Sequence, residues 1–464
     1  VFLPLVAMIT APVSPPAPVG AIPSPRQLAW HQHDYYAFVH FGPNTFTGNE
    51  WGTGTESEQL FNPKHLDCMQ WCRAFKAAGM SGVIITAKHH DGFCLWPSKF
   101  STHTVAQSPW KNGKGDVLLE LSRACKKTGL KFGVYLSPWD RNHPTYGTPE
   151  YNQTFTHMLG EVLGHYGPVF EVWFDGANGE GPNGKKQVYD WPLFNETVHR
   201  LQPGACIFSD GGPDIRWVGN EDGHAAPTVW CTLRRDLFSP GHGPTEQLPE
   251  GHEDGNYWMP PECDVSIRPG WFWRESENDK VKTPSQLEEL YYESVGQNGH
   301  LLLNVPANTD GLISEQDIAS LMGLKARLDA TFKTDLARGK VVTTSSFRGN
   351  DRRYGAEKTV DGNPGSYWAT DDGVTSGSIT VDLGRPTLFD RVLLQEYIPL
   401  GQRVERFSID TSVNGSWQTL ASGTTIGAKR TLRFTPVRAT KVRLNIEQAR
   451  ACPTISTFSI YDAS

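Results

Sequence analysis

The residues best suited to chemistry stand at the ends of short apolar runs. His40 closes AFVHFG, His89 and His90 close GVIITAKHH, and Tyr135 and Trp139 lie at the end of KFGVYLSPWD. Asp175 closes VFEVWFDG, Asp210 closes ACIFSD and Asn304 lies in HLLLNVP. Hydrogen-bond donors, carboxylates and aromatic faces in one ring suit a sugar, whose hydroxyls need polar partners and whose C–H faces stack on rings. Other chemistries lack their residues. Adjacent histidines on a regular strand point to opposite faces, and no HExxH pair brings two imidazoles to one ion. No GxSxG elbow or phosphate loop is present. Carboxylates remain, and a pair about 5 Å apart is what glycoside hydrolysis with retention of configuration uses.

The elements that must position these residues alternate. After AFVHFG comes the helical PKHLDCMQWCRAFKAAG, with Pro63 at its start and Gly79 past its end. GVIITAKHH, the helix VLLELSRACKKTG and KFGVYLSP follow; VFEVWFDG precedes a helix through Val188–Leu201, then ACIFSD. A helix from Pro284 to Val295 leads into HLLLNVP and a last helix at Ser314–Leu328. Repeated strand-then-helix with continuous apolar strands predicts a (β/α)8-like TIM barrel, which places its chemistry at the C-terminal ends of its strands.

Composition breaks near residue 337. All 15 His lie at or before His300, and 13 of the 15 Trp precede the break. Beyond it, SITVDLG, RVERFSID and TKVRLNIEQ alternate with period two between Gly and Pro punctuation, predicting an antiparallel β-sandwich. The expected organisation is a signal remnant and Pro-rich tether over 1–25, a catalytic barrel over 26–337 and a sandwich over 338–464. VFLPLVAMITA followed by PVSPPAPVGAIPSP points to a secreted or periplasmic protein. A formal net charge of −7 without a basic run argues against nucleic acid as a partner. No later apolar stretch reaches the ~20 residues that span a bilayer, so membrane insertion is not expected. Eight cysteines in 464 residues, with no CxxC, are too sparse for a disulfide scaffold and read as buried thiols.

HFGPNTFTGNEWG, ITAKHHDGFCLWPS, YLSPWDRN, VWFDGANGEG, RWVGNEDG and ECDVSIRPGWFW together resemble the retaining α-L-fucosidases of glycoside hydrolase family 29, in particular the branch acting on α1,3/1,4-linked fucose. The resemblance runs in order from about His40 to Pro306. It implies Asp175 as nucleophile and Glu221, in RWVGNEDG, as acid/base, with Asp222, Glu180 and Glu262 as rivals for the second role. It further implies His40, Glu50, Trp51, His89, His90, Tyr135, Arg268 and Trp271 as sugar-binding residues. The implied partner is a fucosylated oligosaccharide or glycoprotein glycan, and no cofactor is implied for catalysis. Two other functions compete: a broader fucosidase that also accepts α1,2 linkages, and an inactive fucose lectin. AEKTVDGNPGSYWAT and SITVDLG resemble discoidin-type, galactose-binding-like sandwiches, in which Asp361 would be a structural calcium ligand.

Overall fold

The computed structural model describes residues 13–413 and 415–463, which divide into two compact units. One holds Pro23–Lys333 and residues 429–431; the other holds the segment up to Ile22, Thr334–Ala428 and the residues from Leu432 on.

In the first unit, eight parallel strands close into a barrel. They are β1 (Tyr35–Val39), β2 (Gly82–Lys88), β3 (Lys131–Leu136), β4 (Glu171–Trp173), β5 (Cys206–Ser209), β6 (Ile215–Trp217), β7 (Pro261–Ser266) and β8 (His300–Asn304). The helices are α1 (Pro25–Trp30), α2 (Cys68–Ala77), α3 (Val117–Thr128), α4 (Pro149–His165), α5 (Trp191–Leu201), α6 (Pro284–Ser294) and α7 (Glu315–Thr331). Side-chain oxygens of Asp67, Asp116, Asp190 and Thr283 accept from the first free N–H groups of α2, α3, α5 and α6, which fixes where each begins. The apolar faces of these helices pack Trp71, Phe75, Leu118, Leu121, Phe155 and Phe194 onto the outside of the barrel. All eight cysteines are buried and stand outside any disulfide, as expected.

The predicted barrel is present, but two of its strands were not among the apolar runs. β6 follows β5 after the turn 210–214 with no helix between them. β7 follows a long excursion, 218–260, that contains only a two-stranded ribbon and short 3-10 turns. Both strands carry ionisable side chains into buried positions: Arg216 in β6, Glu262 and Asp264 in β7. Such strands do not read as apolar.

Alternate residues of a closed barrel face an interior without water. Here Glu171 and Glu262 are both fully buried. Trp30 Nε1 and Tyr36 Oη donate to Glu171 Oε2 at 2.8 and 3.1 Å, Tyr36 Oη also bonds Glu262 Oε2, and Trp173 Nε1 donates to Glu262 Oε1 at 2.8 Å. Burial pushes the Glu171 pKa up to about 7, and burial with the neighbouring Glu171 carboxyl raises that of Glu262 further.

The second unit is an antiparallel sheet domain of seven strands around Trp368, Phe389, Phe407 and Phe458. Its two longest strands, Gly377–Glu396 and Arg430–Ala449, run 20 residues each and pair with partners on both sides. The described part of the expected tether, residues 13–22, lies on this unit rather than free: Arg348 Nε donates to Ser14 O and Arg403 Nη2 to Ala17 O, both at 2.6 Å. The proposed signal remnant in residues 1–12 lies outside the described residues. Asp361 Oδ1 accepts from Asn363 N at 2.8 Å, and its two oxygens accept from Ser366 Oγ at 3.0 and 2.8 Å.

Folding raises both barrel carboxyl pKa values, so the native state keeps protons that the unfolded chain releases above the ordinary value of 4.5. That stabilisation is complete below this value and is lost as pH rises through about 7. Melting of the protein is therefore expected to move to lower temperature between about pH 5 and pH 8, with a shallower slope in Glu171→Gln, which cannot ionise. Equal slopes in calorimetry would show that this pair does not titrate with folding.

Candidate active site

The strand ends converge on one cavity of about 170 Å³. Its lining takes in His40, Glu50, Trp51, His89, His90, Tyr135, Asp175, Glu221 and Trp271, which are nine of the ten catalytic and sugar-binding residues expected from the sequence. Asp175 lies two residues beyond β4, so it continues the inward alternation of Glu171 and Trp173. Tyr135 Oη donates to its Oδ2 at 3.0 Å and Ala177 N to its Oδ1 at 2.8 Å. The next residue is glycine because a β-carbon on Gly176 would collide with the Asp210 carboxyl group. Burial pushes the Asp210 pKa up to about 6, and the Asp175 charge adds to the shift.

The expectation that His89 and His90 diverge fails, because β2 ends at Lys88 and both histidines lie on the irregular backbone beyond it. Their rings are 4.2 Å apart and both line the cavity. Lys88 anchors this turn: fully buried, it pairs with Asp140 Oδ2 at 3.1 Å and donates to Trp139 O. The histidines are neutral. Burial lowers the His40 pKa to about 3 and that of His90 to about 4 despite the nearby Asp175 charge, and it lowers His89 strongly.

Hydrogen bonding sets their tautomers. Asn304 donates through Nδ2 to Ser266 Oγ and Trp271 O, so its Oδ1 receives the His40 Nδ1 proton at 2.9 Å. Ser137 Oγ donates to Trp139 O at 2.9 Å and accepts from His90 Nδ1 at 2.8 Å. In both rings Nε2 is left as an acceptor. That of His90 stands 3.7 Å from Asp175 Oδ2.

Glu50 reaches across the rim. Its Oε2 accepts from Trp271 N at 3.0 Å and it pairs with Arg274; a side chain on Gly270 would collide with Arg274 and with Glu50 itself. Trp51, 57% exposed, stands edge-on to His90 and Trp139 and offers its ring at the mouth. Glu221 lies on the segment after β6, and its Oε2 accepts from Trp271 Nε1 at 3.3 Å. Partial burial raises its pKa, the Trp271 bond opposes this, and the Asp175 charge adds to it.

Arg268 is not brought into this cavity. It is buried behind it, donating to Asp317 Oδ2 at 3.0 Å and to Asn278 Oδ1 at 3.0 Å. Of the rivals to Glu221, Glu262 is in the barrel interior, and neither Glu180 nor Asp222 lines the cavity. Sequence reasoning missed Phe38, Trp173 and Asp264, which do line it. Asp264 is 3% exposed and accepts from Trp217 Nε1 at 2.8 Å, and burial with the nearby Glu221 and Glu262 carboxyls raises its pKa well above the ordinary value. The alternation of Glu262, Asp264 and Ser266 in ECDVS was the available signal.

The pocket thus combines four carboxyl groups, Glu50, Asp175, Glu221 and Asp264, with aromatic rings and neutral histidines, a lining suited to a sugar. Comparison with known proteins decides which kind. The family model described as alpha-L-fucosidase matches residues 25–330. The chain belongs to this family. An F5/8 type C domain model matches residues 341–457, in keeping with the discoidin-type resemblance. Alpha-L-fucosidase 1 of Arabidopsis thaliana is 43% identical over 451 residues, covering 96% of this chain and 88% of that protein. A crystal structure of a Ruminococcus gnavus family 29 fucosidase in complex with fucose has a TM-score of 0.89 at 34% identity, covering 98% and 97% of the two chains. A family 29 glycoside hydrolase from an unknown rumen bacterium gives 0.86 at 41% identity, covering 96% of this chain and 78% of its own. This α-L-fucosidase therefore has the barrel and appended sheet domain expected from its sequence.

Tyr135→Phe removes one donor from Asp175 and leaves the ring stacked on Trp173. A hydrogen bond to a charged group contributes about 1.5–3 kcal/mol, so kcat/KM on an aryl fucoside is expected to fall about 10- to 100-fold with the melting temperature nearly unchanged. An unchanged rate would remove Tyr135 from the set that supports Asp175.

Proposed function

We propose that this enzyme removes terminal α1,3- or α1,4-linked L-fucose from branched oligosaccharides or glycoconjugate glycans with retention of configuration. Asp175 is the nucleophile and Glu221 the acid/base. The observation that carries this reading is the contrast between the two groups in one cavity. Asp175 is an acceptor in every hydrogen bond it makes, as an attacking carboxylate must be. Partial burial and the nearby Asp175 raise the Glu221 pKa, the direction that a proton donor needs. Of the other two carboxyl groups there, Asp264 accepts from Trp217 and has its pKa raised well above the ordinary value by burial, while Glu50 accepts from Trp271 N and pairs with Arg274.

In the first step an Asp175 oxygen bonds to the anomeric carbon as the glycosidic bond breaks and Glu221 passes its proton to the departing oxygen. Esterification removes the Asp175 charge that helps hold the Glu221 pKa up, so Glu221 is then suited to take a proton from water. That water displaces Asp175 and restores the configuration. L-Fucose carries a methyl group in place of a C6 hydroxymethyl, and Phe38, Trp173 and Trp271 supply apolar lining for it. His40 and His90 offer acceptors to hydroxyls.

The linkage preference is supported by the position of Glu221 in RWVGNEDG, the segment on which the α1,3/1,4 branch carries its acid. An exported location is supported by the apolar and Pro-rich opening of the chain. No described helix is long and apolar enough to cross a membrane.

Asp175→Ala is expected to abolish turnover without unfolding the protein, with azide restoring part of it. Glu221→Ala is expected to slow a sugar leaving group far more than an activated aryl one. Equal slowing would exclude Glu221 as the acid. Lewis trisaccharides and 3-fucosyllactose should be cleaved in preference to 2′-fucosyllactose; cleavage of only the last would overturn the linkage assignment.

A further inference from the structure

Among the buried acids that the reaction above does not use, Glu262 makes a contact that leads back to the sugar cavity. The strand register sets Tyr135, Trp173 and Phe208 side by side across β3, β4 and β5. Their rings stack in that order: Trp173 lies on Phe208 with centroids 4.0 Å apart and planes at 8°, and on Tyr135 at 5.3 Å and 28°. Trp173 and Tyr135 line the cavity, and the Tyr135 hydroxyl donates to Asp175.

Stacking sets the plane of a ring and leaves it free to slide or turn within that plane. The indole has one polar atom to prevent this. Trp173 Nε1 donates to Glu262 Oε1 at 2.8 Å, and because β5 and β6 separate β4 from β7 in the sheet, the bond crosses the barrel interior. Glu262 cannot follow a displaced ring. It is fully buried, and its Oε2 is held by Tyr36 Oη, which also bonds Glu171 Oε2 at 3.1 Å. Trp30 Nε1 completes the set, donating to the same Glu171 oxygen at 2.8 Å. Losing the indole bond would leave a buried oxygen without its donor, a larger cost than the bond itself contributes. Packing alone does not explain the acid, since an apolar side chain in a barrel core carries no such desolvation cost.

We propose that Glu262 is a positioning residue of this fucosidase: its bond across the barrel fixes the Trp173 indole, and through it the stacked Tyr135, against the bound fucose. The inference rests on the cavity being the fucose site and not on which carboxyl group attacks.

The test measures inhibition of the aryl fucosidase activity by a fucose-configured iminosugar, together with the melting temperature. Glu262→Met removes the acceptor and is expected to raise the inhibition constant about tenfold. Glu262→Gln, whose amide oxygen can accept from the indole, is expected to stay within about threefold of the parent. The same Glu262→Met change in a Trp173→Phe background, which has no indole N–H to hold, is expected to add less than about twofold. A merely structural acid would lower the melting temperature and add the same loss of inhibition in both backgrounds; that result overturns the proposal, as does an unchanged constant in Glu262→Met. If that variant does not fold, Glu262→Asp keeps the acid and withdraws its oxygen by one methylene group. It is expected to raise the constant about threefold or more, and no change there overturns the proposal equally. Failure of the fucose-site reading is distinguishable, because Trp173→Phe alone would then leave inhibition unmoved.

Discussion

A closed parallel barrel forces every second side chain into a space from which water is excluded, and the active site is built on how that constraint is met. β4 places Glu171, Trp173 and Asp175 one above another. At the bottom, burial raises the pKa of Glu171 to about 7 and that of Glu262 well above its ordinary value, and the pair is joined to Trp30 and Tyr36. The Trp173 indole bonds to Glu262 below and lines the sugar cavity above. At the top the third carboxyl group, Asp175, lines the cavity and accepts from Tyr135 Oη and Ala177 N. One rule of alternation thus gives a buried acid pair, an aromatic floor and the proposed nucleophile.

The site contains no lysine or arginine among the residues that line it. The donors around Asp175 are a phenol and a backbone amide, and the three histidines are neutral. A cation paired with Asp175 would hold the carboxylate against reaction and repel the positive charge that develops on the sugar ring in an oxocarbenium-like transition state. Neutral donors orient it without that cost. The same absence suits L-fucose, an uncharged sugar with one apolar face to cover. Lys88 and Arg268 lie just behind the histidines and Trp271 but are spent on Asp140 and Asp317, so their charge fixes backbone rather than substrate.

Much of this was legible in the sequence because parallel strands buried on both faces must be apolar. GVIITAK and KFGVYL announce themselves, and the residue that follows such a run is placed at the mouth by geometry alone. Strands β6 and β7 escaped for the complementary reason. Arg216, Glu262 and Asp264 are paid for by bonds to Leu248 O, Trp173 and Trp217, partners 32 to 89 residues away, which no local pattern reveals. Arg268 misled for a similar reason: its motif SIRPGWFW reaches the cavity through Trp271, while the guanidinium turns to a helix 49 residues on. Residues 13–22 look like a linker by composition, yet their carbonyls are taken up by Arg348 and Arg403.

The central claim is that a covalent bond forms briefly between the sugar and one named oxygen-bearing side chain. A 2-deoxy-2-fluoro-fucosyl donor with a good leaving group slows the second step more than the first and lets the adduct accumulate. Peptide mapping of the trapped protein by mass spectrometry should place the fluorofucosyl mass on Asp175. Its appearance on Asp210, Asp264 or Glu221, or rapid turnover with inverted configuration and no adduct, would contradict the account.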